Sequence, residues 1–263
     1  MKKLSTAIIA FLLGFALSGS AIAGPYEEGV AAIESGKFDT GIEILLPLAE
    51  EGDALAQIAV AEGYIRRRGY NDDTREAEKW LRLAAEQGYA QAQYGLGWIY
   101  SLPLYGENYS DAMKWYRLAA EQGYAPAQVA VGQLFARGFG IPRDREEAFR
   151  WYKLAADQGN VEAYLELSSY YRRGKAKNLP EAVKWLRLAV EQGRGFAMLA
   201  HMYREGEGVP QDNVQAYMWF ELAFTQGDKS SAIYRDMVAA KMTQEQIAEA
   251  QRLAQEWTAG HPQ

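Results

Sequence analysis

Between Glu78 and Tyr100 the chain reads EKWLRLAAEQGYAQAQYGLGWIY, and this string returns twice. It recurs as MKWYRLAAEQGYAPAQVAVGQLF from Met113 to Phe135 and as FRWYKLAADQGNVEAYLELSSYY from Phe149 to Tyr171. Working outward, Trp80, Trp115, Trp151, Trp185 and Trp219 follow one another at intervals of 35, 36, 34 and 34 residues. Gly52, Gly88, Gly123, Gly159, Gly193 and Gly227 keep nearly the same step, so the chain is an array of small units rather than one or two globular domains.

Each unit reads as two helices. In the second, Ala77, Trp80, Leu81 and Ala84 fall at i, i+3, i+4 and i+7 and form one apolar stripe, with Arg75, Glu78, Lys79 and Arg82 off it. The glycine after Ala-Ala-Glu-Gln ends that helix, because glycine enters the left-handed region without a Cβ clash. The first helix places Ala54, Gln57, Ala61 and Tyr64 on one side, and Ala61, Gly97, Gly132, Ser168 and Ala200 put a small residue at the point of closest approach. Asp73, Asp144, Asp212 and Thr243, each with Glu or Gln three residues on, read as capping boxes.

One helix pair cannot hide its own stripe, whereas stacked pairs bury a continuous core. The expected architecture is therefore an all-α solenoid of about seven antiparallel helix pairs. Its expected divisions are 24–51 as a divergent first pair with Pro47 bending its second helix, 52–226 as five repeats (52–87, 88–122, 123–158, 159–192 and 193–226), and 227–263 as a closing pair. The two ends are expected to be polar caps. Trp80, Trp115, Trp151, Trp185 and Trp219 are expected in the core, with Tyr64, Tyr100, Phe135, Tyr171 and Tyr203 beside them.

Residues 1–23 precede the array. Lys2 and Lys3, the apolar run Ala7 to Leu17 and the closing Ala21-Ile22-Ala23 read as a secretory signal cleaved after Ala23. That run is short for a membrane-crossing helix, so the mature chain is expected to be periplasmic or secreted, without membrane insertion. With 28 Lys plus Arg against 34 Asp plus Glu, the net charge of −6 argues against a nucleic-acid surface. The chain has no cysteine and two histidines, His201 and His261, so it offers no disulfide, thiolate or paired-histidine chemistry. No cofactor, metal or catalytic residue is expected.

The third unit spells the pattern most fully, with Gly123, Ala125, Ala127, Gln128, Gly132, Gly138, Gly140, Asp144, Ala148, Trp151, Tyr152, Ala155 and Ala156. It resembles the Sel-1-like repeat, a relative of the tetratricopeptide repeat, over Gly52 to Gln226. Two departures stand out: Leu102-Pro103-Leu104-Tyr105 replaces the glycine-rich loop, and the fifth unit lacks two residues near its first helix. The resemblance implies a right-handed superhelix acting as an adaptor for a protein or peptide, in envelope assembly or signalling among other roles.

If first helices line the inner curve, as in the related family, the sixth and tenth residues after each leading glycine face the groove. These include Glu62, Tyr94, Trp98, Gln133 and Ser169. Tyr94 and Trp98 are the one aromatic pair among them, and exposed aromatics make good anchors. Packing beneath Leu102-Pro103-Leu104 is the alternative for these two. Arg66, Arg67 and Arg68, and Arg172 with Arg173, lie at first-helix C-termini, where the helix dipole favours positive charge. Two other functions stay open: a cell-wall or exopolysaccharide glycan module, and a carboxylate-dependent hydrolase.

Overall fold

The computed structural model describes residues 24–68, 72–173 and 177–261; the expected signal lies outside the described residues. Among the described residues there are fourteen α-helices and no strand. Their succession makes seven helix pairs: α1 (Pro25–Glu34) with α2 (Phe38–Glu50), α3 (Ala54–Arg68) with α4 (Asp72–Glu86), α5 (Ala90–Tyr100) with α6 (Tyr109–Glu121), and α7 (Ala125–Arg137) with α8 (Arg145–Ala156). Then come α9 (Val161–Arg172) with α10 (Leu179–Glu191), α11 (Phe196–Glu205) with α12 (Asn213–Thr225), and α13 (Ser231–Ala239) with α14 (Gln244–Gly260). The chain divides into two compact units, 1–151 and 152–263.

In unit 1 each helix from α1 to α6 packs on the next, so the stripes of α2, α4 and α6 are each covered by the helix before and by the first helix that follows. The centres of these layers are aliphatic: Ile33 and Leu45, then Ile58, Leu81, Leu96 and Ile99, are at most 1% exposed. Gly97 explains why a small residue is needed in the first helix. A Cβ there would stand 2.5 Å from Cδ1 of the buried Tyr116 on α6. The turn glycines serve differently; Gly88, at φ 93°, has open space around it and is there for its backbone.

Unit 2 packs α9 on α10, α10 on α11 and α11 on α12 around Leu167, Leu186, Leu199, Met202 and Phe220. The shortened fifth repeat is accommodated at Gly195, which caps α11 in the left-handed region where a Cβ would meet Leu186 and Leu165. The last two helices both lie on α12. Trp257 of α14 sits edge-on to Phe196 and Trp219, at ring centroid distances of 5.1 and 6.0 Å.

Several expectations are revised. The tryptophans divide: Trp219 is buried, but Trp80, Trp115, Trp151 and Trp185 are half-buried, as are Tyr64, Tyr100, Phe135, Tyr171 and Tyr203. These large rings close the rim of the core while aliphatic side chains fill its centre. Thr243 and Gln246 form the full capping box, and Asp144 and Asp212 cap their helices through backbone amides. Asp73 does not start a helix; it lies inside the first turn of α4, where Arg67 holds its carboxylate at 2.7 Å. Pro47 is carried within α2. The closing pair is not wholly polar either, since Ile233 and Met237 of α13 stand 65% and 56% exposed.

Candidate functional site

The proposed groove residues separate by burial. Glu62 on α3 is buried at 1% exposure, enclosed where α1 and α2 cover the first repeat. One carboxylate oxygen accepts from Arg66 Nη1 at 3.2 Å; the other, Oε2, is buried with no hydrogen-bond partner. Burial drives its pKa up to about 7, against the pull of Arg66 and with a smaller push from Glu34. A buried acid of this kind is a proton-binding group without a cleft.

Tyr94 is buried as well, with ring centroids 5.5 Å from both Tyr116 and Tyr124. It belongs to the aromatic centre of the second repeat. Trp98, one turn on, stays half-buried and packs against two successive cores, those of the first and second repeats. Gln133 on α7 and Ser169 on α9 are also half-buried. The register brings Trp98 and Gln133 to equivalent places on α5 and α7, whereas Glu62 and Tyr94 are buried, at 1% and 8% exposure.

The divergent segment Leu102 to Tyr105 closes over a different place. Tyr105 packs edge-on to Tyr100 at 5.7 Å, and Glu78 Oε1 accepts from the Tyr100 hydroxyl at 2.8 Å and from Arg82 at 2.7 Å. Burial pushes the Glu78 carboxyl up, but Tyr105, Tyr100 and Arg82 outweigh it and hold the group below its ordinary range. A carboxylate so surrounded is a structural latch.

Two of the arginines at first-helix ends bind acids from neighbouring elements. Arg67 reaches Asp39 at 2.6 Å as well as Asp73, and Arg172 reaches Glu207 at 3.3 Å. His201 packs against Phe220 and Tyr234, and burial, then Arg204 and Arg172, lower its pKa. Among the described residues no cluster of three or more His, Asp or Glu side chains is placed to hold a metal ion. None of the described helices is long and apolar enough to cross a membrane.

The Sel1 repeat matches residues 54–89, 90–124, 125–160, 161–193 and 197–228. The chain belongs to the Sel1 repeat family. Among solved structures it is similar to a Sel1 repeat protein from Oxalobacter formigenes, with TM-score 0.66 and 28% identity over 80% of this chain and 85% of that one. It is also similar to c5321, a protective antigen of uropathogenic Escherichia coli displaying an SLR fold, with TM-score 0.55 and 26% identity over 90% of this chain and 61% of that one. An F-box protein of Arabidopsis thaliana is 34% identical over 94 residues, 36% of this chain; the match spans 26% of that protein's length. Sel1 repeats form helical scaffolds that typically serve protein–protein interaction, and this fold is such a scaffold.

Two functional features were missed in the sequence. Gln57, Gln93 and Gln128 are buried bonding groups, each donating to a carbonyl at the end of the preceding second helix: Ala49, Ala85 and Ala120. Their recurrence five residues after each leading glycine was the available signal. The other is an exposed leucine in four second helices, Leu83, Leu118, Leu154 and Leu188, hidden between an Arg or Lys and the buried Ala-Ala or Ala-Val that follows.

Proposed function

We propose that this chain is an exported, non-catalytic adaptor that holds a protein or peptide partner on its first-helix face, in envelope assembly or signalling. The observation that carries the reading is Trp98. Its ring is seated across two repeat cores and so is fixed before any partner arrives, yet part of it remains accessible. A rigid aromatic of this kind contributes contact area with little loss of side-chain entropy. Gln133 offers hydrogen bonding one repeat away in the same unit, and Ser169 holds the corresponding position within unit 2 taken by itself. Tyr94 and Glu62 act beneath the face, as support. Export rests on the Lys2, Lys3, Ala7 to Leu17 and Ala21 to Ala23 pattern.

The test is photo-crosslinking from position 133 in intact cells, followed by mass spectrometry, with Trp98→Ala and Gln133→Arg compared in pull-down. A specific partner lost by both variants, at unchanged helicity, supports the reading. A partner retained by both variants refutes it.

A further inference from the structure

Three residues after its tryptophan, each of α4, α6, α8 and α10 carries a leucine that lies in solvent. Leu83, Leu118, Leu154 and Leu188 are 46%, 47%, 50% and 39% exposed, while the leucines of the stripe are buried. The fold does not require them there. In α12 the same place is taken by Leu222, which is 2% exposed.

Two of these leucines border equivalent surface grooves, one in each unit. In unit 1 the groove joins Leu83 to Arg75, Glu78, Lys79, Arg82 and Tyr105. In unit 2 Leu188 is joined by Val183, Lys184, Arg187 and Val209. Each groove has apolar lining beside its leucine, Tyr105 in the first and Val183 with Val209 in the second, and an excess of cations, three against one carboxylate in the first and two against none in the second. That excess sits in a chain whose net charge is −6. The guanidiniums are held by the neighbouring repeat, since Arg82 donates to the Tyr100 hydroxyl and Arg187 to that of Tyr203 at 3.0 Å. The lysines pair with Glu76 and Glu181 of their own helices in exposed i,i+3 bridges. Such surface pairs contribute roughly 0–1 kcal/mol, so an incoming carboxylate replaces them at little cost.

We infer that each groove binds an extended acidic peptide segment, with an aliphatic side chain on the leucine and flanking carboxylates on the two cations. Charge complementarity selects this occupant over a neutral or basic one. The surface is separate from the first-helix face, and its test does not depend on Trp98.

The full chain is titrated against the fluorescein-labelled peptide Glu-Leu-Glu-Glu-Leu-Glu by fluorescence anisotropy, with control peptides carrying Gln for Glu or Ser for Leu. Paired variants Leu83→Ser with Leu188→Ser, and Lys79→Glu with Lys184→Glu, change exposed side chains, and circular dichroism verifies their helicity. Binding that falls with salt, and weakens at least about tenfold in both paired variants and for both controls, is the expected result. Trp98→Ala retains it. Undiminished binding by the variants, or no binding of the acidic peptide, overturns the inference. So does a wild-type dimer that the leucine variant converts to monomer, since a second copy would then cover this face.

Discussion

Gln87, at the end of α4, donates from Nε2 to Oε1 of Gln57 at 3.0 Å, across 30 residues of sequence. Gln57 in turn donates to the Ala49 carbonyl at the end of α2. The last carbonyls of a helix have no partner within it, so a buried glutamine from the next repeat supplies one. The unit recurs as Gln122 to Gln93 at 2.7 Å and Gln93 to Ala85 at 3.3 Å. In unit 2 Tyr164 stands in the equivalent place and packs against Trp185 instead, at 5.7 Å.

The inner glutamine therefore matters more than the outer one. Gln93→Ala removes a buried bond to the Ala85 carbonyl, which keeps the amide of Gly88 at 3.0 Å, and should cost about 0.5–1.5 kcal/mol. Gln122→Ala, at an exposed position, should cost at most about 1 kcal/mol. Urea unfolding of the two variants and their double mutant measures both terms and their coupling. Equal costs would show that burial of the amide is not what sets the price of its loss.

Glu62 makes stability depend on pH in a defined direction. The folded chain keeps this proton up to about pH 7, whereas the unfolded carboxyl releases it near 4.5. The native state thus binds more protons between those values, and stability falls as pH rises through that window and levels off above it. Glu62→Gln removes this contribution and should raise stability at pH 8 relative to wild type by up to about 3 kcal/mol. Thermal melts of both proteins from pH 4 to pH 8 decide it. Parallel curves would mean the carboxyl is not protonated in the fold.

Gly97 and Gly88 look alike in sequence and should respond differently to alanine. At Gly88 the new Cβ meets nothing and the cost is the left-handed backbone alone, about 1–2 kcal/mol. At Gly97 the backbone is helical and alanine is favoured locally, but its Cβ meets the ring of Tyr116, which is 5% exposed and enclosed. Overpacking of about 1–3 kcal/mol should outweigh the gain in propensity. The companion change Tyr116→Leu in the Gly97→Ala background should recover part of the loss if the clash is the cause.

The repeat length, helix order and turn positions were legible because they are written in hydropathy and glycine spacing, signals that each unit carries by itself. The glutamine bonds were not, since they run through polar atoms that periodicity does not register, from each inner glutamine back to a carbonyl of the preceding helix and from the outer glutamine about one repeat on. Tyr94 and Glu62 were placed on an open face by counting helical positions. Counting is blind to what a neighbour covers: α1 and α2 pack on the helix that carries the buried Glu62, and Tyr116 and Tyr124 pack against Tyr94. Asp73 had the spacing of a cap, yet Arg67 competes for its carboxylate from the preceding helix. That Trp98 keeps part of its surface exposed was readable from its helical position, while its support by two cores required the structure.

Trp219 should be the tryptophan whose loss the chain tolerates least. It is 9% exposed, where its four counterparts are half-buried, and its ring joins Phe196 on α11 to Trp257 on α14. That contact matters because α14 is held on α12. Trp219→Ala should therefore cost about 3–5 kcal/mol and lower amide-exchange protection across Gln244–Gly260. Trp115→Ala, at the half-buried rim, should cost less and leave α14 protected. Protection of α14 that survives the loss of Trp219 would mean that the closing helix is secured by its own hydrogen bonds and by Ala250 and Ala254, with the indole contributing only volume.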